Sequence, residues 1–373
     1  MPEMHRARRL RAQRLIPALG VDAVLVTSGV NVRYLTGLVS SNAAVLIPRD
    51  GPSVLCTDSR YAGTAERECP DVEIVIQRDT EAALTERALD SGLRAIAFED
   101  REMTVQRHRA LAGLDGEEVV GHGGAALELV PLDGAIDDLR IVKDEVELAL
   151  LARACEITGE AFSAVMDRLR PGMTEREFAV ALERVMVDLG ADGPAFASIV
   201  ASGPNGAIPH HVPSDRPFER GDLVTIDCGA KFGGYHADMT RTVAIGQPEA
   251  WQREIYDLVA LAQEAGVAVA VVGADVADVD AVARDVIEGA GYGGNFTHGL
   301  GHGVGLEIHE APWLGQDKTG TLADRVPITI EPGIYLAGAG GVRIEDTLVV
   351  HAGTGAAGSA QSLTTITREL LVL

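Results

Sequence analysis

One pattern occurs twice in the carboxyl-terminal part of the chain, and this repetition constrains the fold more than any other feature. Asp227 and Glu331 each end an apolar run, and each is followed two positions later by glycine. A glycine-bounded helical pattern precedes each acid, over 172–190 and over 273–291, at nearly the same distance along the chain. The sequence therefore predicts two related halves that repeat the order helix, strand and acid.

Each of these acids lies at the end of the first strand of a predicted β-hairpin. A second acid lies on the return strand of the same hairpin. The first hairpin is GDLVTIDCGAKFGGYHADMTRTVAI, in which a turn centred on KFGG predicts Asp227 directly opposite Asp238. The second is ITIEPGIYLAGAGGVRIEDTLVV, in which a turn centred on Gly338 predicts Glu331 opposite Glu345. Side chains directly opposite each other in a strand pair lie about 5 Å apart at Cβ, so each hairpin brings two carboxylates together.

Facing carboxylates repel each other, and burying them without a partner costs several kcal/mol each. Two such pairs in two related halves predict four acids that converge on one site. Divalent metal cations neutralise such a cluster, because hard and borderline ions prefer oxygen ligands.

Histidines near this cluster are further candidates for ligands or catalytic groups. The segment FTHGLGHGVGLEIHEAP contains His298, His302 and His309 among glycines that allow close approach to a site. The segment IPHHVPSD adds His210 and His211 upstream of the first hairpin. GHGVG does not have the spacing of a dinucleotide-binding loop and follows no clear strand, so a phosphate-binding function is rejected.

The amino-terminal part, 1–131, alternates short apolar runs with helical patterns and predicts an α/β domain. Strands are predicted at 21–27, 43–48, 53–57, 72–76, 94–98 and 117–120, and helices around 60–69, 80–91 and 104–112. A linker is predicted over 132–142 and a second domain over 143–373. The first helix of that second domain is predicted to start at Lys143 or Asp144.

Composition narrows the range of partners. Lys and Arg total 32 against 55 Asp and Glu, a formal net charge of −23, which disfavours binding to nucleic acid. Four cysteines without a C-x-x-C pair favour free thiols in a reducing cytoplasm. The opening residues lack the apolar core of a signal peptide, and no apolar run reaches the roughly 18 residues of a membrane span. We therefore predict a cytoplasmic protein with neither a nucleic-acid nor a membrane partner.

The motifs resemble those of the pita-bread metallopeptidases, the family of aminopeptidase P and prolidase. The resemblance covers the whole second domain through the motifs IDCG, HADMTRT, HGLGHGVGLEIHE, IEPGIY and RIEDT. In the first domain, NVRYLTG (31–37) and TDSRY (57–61) resemble the amino-terminal domain of aminopeptidase P, prolidase and creatinase. The resemblance implies a creatinase/prolidase-like α/β domain, followed by an α+β pita-bread catalytic domain with pseudo-two-fold internal symmetry.

The five metal ligands of that family match Asp227, Asp238, His302, Glu331 and Glu345. The resemblance implies that Asp238 and Glu345 bridge two metal ions, that Asp227 completes one site, and that His302 and Glu331 complete the other. Two divalent ions roughly 3.5 Å apart can hold a bridging hydroxide as nucleophile and polarise a scissile carbonyl. Carboxylate-rich ligation favours Mn²⁺, with Co²⁺ or Zn²⁺ as alternatives. Glu331 would shuttle a proton from the attacking water to the leaving amine.

The resemblance also implies roles for residues around the ligands. His210 and His309 would contact the substrate and the tetrahedral intermediate, and Arg343 and Tyr335 would support the site, Tyr335 also by contact with the substrate. Arg343 lies two positions before Glu345 on a predicted strand, hence on the same face, where its guanidinium could orient that carboxylate.

Several of the residues near the site can also be explained by a purely structural role. Tyr335 is equally well explained by packing within a strand. His211 and His298 are predicted to have a structural role or to contact the ligand side chains without binding metal themselves. Cys228 follows a ligand directly, so it points to the opposite face of the strand and is predicted to lie in the core.

Two classes of function follow from the resemblance. The first is a dinuclear metallo-exopeptidase that hydrolyses the Xaa-Pro bond of peptides or of Xaa-Pro dipeptides, with a broader aminopeptidase as an alternative. The second is a catalytically silent binding protein of the same fold. Methionine aminopeptidase lacks the first domain, and creatinase does not keep the five ligands, which favours a proline-directed peptidase. The resemblance also favours a homodimer, and no motif separates dipeptidase from aminopeptidase.

Overall fold

The computed structural model describes residues 2–113, 127–353 and 358–373. The chain divides into two compact units, Met1–Arg140 and Ile141–Leu373. Their boundary lies inside the segment 132–142, which the sequence predicts as a linker. Most of that segment is a short helix, α7 (Ala135–Ile141).

The first unit combines helices with one sheet, as the alternating pattern predicts. Its described helices are α1 (Pro2–Gln13), α2 (Ile16–Leu19), α3 (Gly29–Thr36), α4 (Ala62–Glu68), α5 (Thr80–Asp90), α6 (Val105–Leu111) and α7. Its described strands are β1 (Ala23–Val26), β2 (Ala43–Pro48), β3 (Val54–Thr57), β4 (Glu73–Ile76), β5 (Ala95–Phe98) and β6 (Glu128–Pro131).

The sheet of the first unit has the order β4-β3-β2-β1-β5-β6 and is mixed. Strand β2 runs antiparallel to both β1 and β3, and the remaining pairs are parallel. The predicted strands at 21–27, 43–48, 53–57, 72–76 and 94–98 are confirmed, and the strand predicted at 117–120 lies outside the described residues. Helix α3 was not predicted, although its buried Tyr34 and Leu35 pack into the unit.

The second unit contains four long helices and several small sheets in its described part. The helices are α8 (Glu145–Val165), α9 (Glu175–Asp188), α10 (Ala250–Val269) and α11 (Val276–Gly289). The strands are β7 (Gly193–Pro194), β8 (Ile199–Ser202), β9 (Leu223–Cys228), β10 (Ala230–Phe232), β11 (Tyr235–His236), β12 (Met239–Ala244), β13 (Gly301–Gly303), β14 (Glu310–Leu314), β15 (Val326–Ile330), β16 (Gly333–Leu336), β17 (Gly340–Arg343), β18 (Asp346–His351) and β19 (Ser359–Ser362). None of the helices in the described part of the chain is long and apolar enough to cross a bilayer.

The repeat predicted from the sequence is present as two similar sets of elements. In the first half, α8 and α9 precede the antiparallel pair β9–β12, and in the second half α10 and α11 precede β15–β18. Helices α9 and α11 both have 14 residues. Asp144 caps α8 in a capping box with Glu147, which confirms Asp144 as the start signal of that helix.

Each half has its own hydrophobic core between its helix pair and its strands. In the first half, Phe178 and Leu182 of α9 pack with Val224 and Ile226 of β9. Cys228 lies in the same core and is fully buried, as predicted. In the second half, residues of α10 and α11 pack against the apolar side chains of β15 and β18.

Hydrogen bonds join the two halves where β12 lies beside the strands of the second hairpin. The Thr242 hydroxyl donates to the carbonyl of Arg343 at 3.0 Å, and the Thr347 hydroxyl donates to the carbonyl of Asp238 at 2.8 Å. The backbone N–H of Glu345 donates to the carbonyl of Thr240 at 3.1 Å. These contacts bring the acidic ends of the two hairpins together.

A buried ion pair behind the acids strengthens this junction. Arg241 of β12 donates to the Asp346 carboxylate at 2.6 Å, and both side chains are at most 3% exposed. The same guanidinium donates to four backbone carbonyls. One is in β12 (Thr240), one directly precedes β18 (Glu345), and two are in the carboxyl-terminal segment (Ile366 and Thr367). Arg241 therefore ties three separate segments to one point.

We predict that Arg241→Met lowers the free energy of unfolding of the second unit by about 3–5 kcal/mol. The substitution leaves four backbone carbonyls without their donor and leaves Arg368, which is 38% exposed, as the remaining cationic partner of Asp346 among the described residues. Both tryptophans of the chain, Trp251 and Trp313, lie in this unit, so urea unfolding followed by their fluorescence reports on it. The control is Arg253→Met, since that side chain is 53% exposed and its change should stay within about 0.5 kcal/mol. Equal losses in the two variants would contradict the prediction.

Candidate metal centre and active site

The first acid pair lies on one face of the first hairpin, in a register that differs from the predicted one. Asp227 pairs with Thr240 and not with Asp238. Asp238 lies two residues before Thr240 in the chain and on the same face of the hairpin. The reason is the turn, which is formed by Gly233 and Gly234, both with positive φ, and so lies one residue later than predicted. The register shifts by two residues, and an even shift keeps both carboxylates on one face.

The second acid pair has the predicted register. Ile330 pairs with Asp346 at the end of the β15–β18 ladder, and the β16–β17 ladder continues with the same offset. Glu331 and Glu345 lie between these two ladders, directly opposite each other. The prediction made from the position of the glycine turn is confirmed.

His302 of β13 faces both acid pairs, and its hydrogen bond to the backbone determines which ring nitrogen points to them. Its Nδ1 lies 2.9 Å from the carbonyl of Gly303, and a carbonyl only accepts, so Nδ1 carries the proton. Nε2 then points to the carboxylates, 3.3 Å from Glu331 and 3.6 Å from Asp238, and it is the nitrogen that would bind a metal ion after losing its proton. This is the orientation that a metal-binding histidine requires.

The five predicted ligands form overlapping clusters. Three sets of side chains have potential ligand atoms that all lie within 4.8 Å of one another: Asp227 with Asp238 and Glu345, His302 with Glu331 and Glu345, and Asp238 with His302 and His309. Glu345 belongs to two sets and Asp238 to two, so these carboxylates lie where the clusters meet. The structure thus brings all five predicted ligands together.

Burial makes this cluster unfavourable unless a cation is present. Burial raises the pKa of Asp227, and burial with repulsion from neighbouring carboxylates raises the pKa of Asp238 and Glu345 well above the usual range. Among the described residues, one oxygen of each of these three carboxylates is buried without a hydrogen-bond partner: Oδ1 of both aspartates and Oε1 of the glutamate. Three unpartnered buried oxygens in one cluster fit divalent metal ions.

Arg343 contacts a different carboxylate from the predicted one. Its Nη2 donates to Asp227 at 2.7 Å, and it reaches Glu345 only through Thr240, whose hydroxyl accepts from Nε and donates to that glutamate. Its Nη1 donates to the Tyr335 hydroxyl at 3.0 Å. Arg343 therefore acts on the predicted carboxylate, that of Glu345, through the Thr240 hydroxyl and not by direct contact.

Tyr335 and His298 form a chain of hydrogen bonds behind the guanidinium of Arg343. His298 donates through Nδ1 to the carbonyl of Gly299, so its Nε2 accepts from the Tyr335 hydroxyl at 2.8 Å. Burial lowers the pKa of His298, which favours this neutral form. Tyr335 is buried and does not line the cavity that the described residues form, so the structure places it in support of Arg343.

A cavity of about 760 Å³ opens onto the cluster, and all five predicted ligands line it. His210 and His309 are exposed in its wall, and the His309 ring contacts that of His302 edge to face at 4.4 Å. Partial removal from water inside the cavity and the neighbouring His302 lower the pKa of His309, which favours a neutral ring. Trp313, 46% exposed, stands beside these two rings and supplies an aromatic surface.

Comparison with known proteins assigns both units. Residues 149–352 match the model of metallopeptidase family M24, and residues 8–142 match that of the creatinase/prolidase N-terminal domain. The chain belongs to metallopeptidase family M24. It is therefore a metal-dependent peptidase, and the acidic cluster described above could hold its divalent ions.

Relatives cover nearly the whole of this M24 peptidase. It is 46% identical to a Xaa-Pro dipeptidase of Pyrococcus furiosus, over 94% of this chain and 95% of the relative. A solved Xaa-Pro dipeptidase from Bacillus anthracis has a TM-score of 0.91 and 34% identity, over 99% of this chain and all of that one. A solved X-Pro aminopeptidase from Thermotoga maritima has a TM-score of 0.86 and 35% identity, over 97% of this chain and all of that one. The predicted fold, an α/β unit followed by a pita-bread catalytic unit, is confirmed.

Some residues of the M24 site escaped the sequence analysis. Thr240 carries no distinctive signal, since one threonine among several in MTRTVA gives no indication that it links Arg343 to Glu345. Trp313 gives a weak signal, because it follows the HEAP motif only a few residues after His309. The role of Thr240 depends on contacts between distant segments, which no local pattern reveals.

Glycine at 301 allows the strand of His302 to approach its neighbour. A Cβ at Gly301 would lie 2.0 Å from the carbonyl oxygen of Thr329. We predict that Gly301→Ala displaces β13, lowers stability by about 1–3 kcal/mol and weakens metal binding. Thermal unfolding and calorimetric metal titration test this. Gly294→Ala is the control, since a Cβ there meets nothing within 4 Å, and an equal effect in both variants would refute the steric argument.

Proposed function

We propose that this M24 peptidase hydrolyses the bond between an amino-terminal residue and proline, in Xaa-Pro dipeptides or at the start of longer peptides. The observation that carries the proposal is the convergence of the five ligand side chains on one cavity large enough for a short peptide. The names of the relatives, Xaa-Pro dipeptidase and X-Pro aminopeptidase, support the proline specificity.

The five residues Asp227, Asp238, His302, Glu331 and Glu345 would hold two divalent ions, with Asp238 and Glu345 shared between them. Their four carboxylates and one imidazole favour Mn²⁺, with Co²⁺ or Zn²⁺ as alternatives. When bound, such ions activate water as a nucleophile and polarise the scissile carbonyl. The unpartnered oxygens described above support this assignment.

Glu331 is the proposed proton carrier. Burial raises the pKa of its carboxyl, but the hydrogen bond and positive charge of His302 outweigh burial and lower it to about 2. The carboxylate is then ionised at neutral pH and can accept a proton at Oε from the attacking water. It can return that proton to the proline nitrogen as the bond breaks.

His210, His309 and Arg343 are proposed to act on the substrate and on the acidic cluster. The two histidines line the cavity, where their N–H groups could donate to the carbonyl oxygen on which negative charge develops. Arg343 holds Asp227 in position through a charge-assisted hydrogen bond. Tyr335 would act behind Arg343.

The wider setting is also a proposal. Four buried cysteines with free thiols support a reducing compartment, and we propose the cytoplasm. The resemblance of the sequence to the family leads us to propose a homodimer. The net charge of −23 supports peptides and not nucleic acids as partners.

We predict that Asp238→Asn abolishes hydrolysis and loses at least one metal ion per chain, because a shared carboxylate contributes to both ion sites. Metal content by mass spectrometry, together with turnover, measures this. Asp278→Asn makes the same chemical change at an exposed position on α11 and should alter neither. Full activity with an unchanged metal content in Asp238→Asn would refute the ligand assignment.

We predict that proline in the second position raises kcat/KM tenfold or more, as expected for about 1–3 kcal/mol of contacts with the ring. The bond to proline lacks an N–H, so recognition must rely on the ring and on the free amino terminus. Acetylation of that terminus should therefore abolish cleavage. Rates on Ala-Pro, Ala-Pro-Ala and Ala-Ala-Ala with matched metal test the prediction. Equal rates on the two tripeptides would indicate a general aminopeptidase, and the ratio of the first two substrates separates dipeptidase from aminopeptidase.

A further inference from the structure

Glu175 is a buried acid away from the ligand cluster. It is the first residue of α9, and its side chain is fully buried. Neither the metal ligands nor the substrate-contacting histidines explain its presence. A buried carboxylate is costly unless its oxygens are hydrogen-bonded, so its partners indicate its role.

Six hydrogen bonds converge on this carboxylate, and all of the donors belong to the segment 202–214. Oε1 accepts from the backbone N–H of Ser202 at 2.8 Å, from the Ser202 hydroxyl at 2.7 Å and from Asn205 at 3.0 Å. Oε2 accepts from Nε2 of His211 at 2.8 Å, from the backbone N–H of Ser214 at 3.0 Å and from the Ser214 hydroxyl at 2.6 Å. One carboxylate therefore holds both ends of this segment.

These hydrogen bonds keep Glu175 ionised. Burial raises the pKa of its carboxyl, but the hydrogen bonds from Ser214, Ser202 and Asn205 together outweigh burial and lower it to about 2. Near neutral pH all six bonds are then donated to a negative charge, which makes them stronger than bonds between neutral groups.

The segment held in this way carries His210 into the cavity wall. The carbonyl of Pro209, just before it, accepts from Arg343 at 3.4 Å, and His211, just after it, donates to Glu175. The backbone is thus attached on both sides of His210, while the His210 side chain itself is exposed in the wall of the cavity.

We propose that Glu175 is the positioning residue for His210: its carboxylate holds the segment 202–214 in the conformation that presents the His210 imidazole to the substrate. The inference rests on the proposed function in one respect, that His210 contacts the peptide. Glu175 touches neither substrate nor metal and acts only through this loop.

Glu175→Gln tests the proposal with little change in volume. A glutamine has one accepting oxygen and one NH₂ group. Backbone N–H groups face both oxygens of Glu175, that of Ser202 on one side and that of Ser214 on the other. Whichever way the amide is turned, a donor therefore meets a donor, and the loop must shift. Glu177→Gln is the control on the same helix, because Glu177 is exposed and glutamine can preserve its capping bond to Thr174.

A double-mutant cycle with His210→Ala distinguishes positioning from a general structural effect. We expect Glu175→Gln to lower kcat/KM about tenfold or more, with metal content unchanged, since small displacements of a substrate-contacting group are costly. In the His210→Ala background the same substitution should cost about twofold or less, because the group that it positions is already absent. Losses that multiply independently, or a loss of metal from Glu175→Gln, would overturn the proposal.

A second variant keeps the test decisive if Glu175→Gln does not fold. His211→Ala removes one of the six donors and leaves the carboxylate otherwise bonded, so it should lower kcat/KM by a smaller factor and show the same coupling to His210. Additive losses here would also overturn the proposal. The cycle is measured on whichever of the three panel peptides is cleaved fastest. Absence of a proline preference therefore contradicts the proposed function, whereas absence of coupling contradicts the positioning role.

Discussion

Repulsion among four closely spaced carboxylates, three of them buried and that of Glu331 partly buried, is the interaction around which the second unit is organised. Asp227 and Asp238 come from one half, Glu331 and Glu345 from the other, and burial raises the pKa of three of the four. Such a cluster is stable in ionised form only if cations lie among the oxygens. The unpartnered oxygens are available to bind cations, so the feature that is costly to the fold is also the one that suits the cluster to binding metal.

The surrounding structure holds three of these carboxylates in orientations that leave one oxygen of each without a hydrogen-bond partner. Arg343 engages one oxygen of Asp227, and Thr240 engages one oxygen of Glu345. Nδ1 of His302 is held by a backbone carbonyl, which directs the other ring nitrogen to the acids. Behind them, Arg241 joins β12, β18 and the carboxyl-terminal segment. Membership of family M24 agrees with this arrangement, since the family uses bound metal for hydrolysis.

The pairing of the acids could be predicted from the sequence only where the position of the turn could be predicted, because the turn fixes the register of the two strands. The turn around Gly338 is symmetric about one residue, so Glu331 and Glu345 face each other as predicted. In the first hairpin, two adjacent glycines with positive φ form the turn, and the register differs by two residues from the predicted one. The two aspartates still share a face, because side chains alternate with a period of two along a strand.

The sequence by itself determined the two related halves, the acids at the ends of their strands, the histidine between glycines and the family to which these motifs belong. These features follow from local periodicity and from residue types, which a single chain displays directly. Only the tertiary structure decided that Arg343 binds Asp227 and not Glu345, that Thr240 lies between them, and that Glu175 holds the segment of His210. Those contacts join residues far apart in sequence, and the packing of strands and helices selects them, because no local pattern specifies which distant donor meets which acceptor.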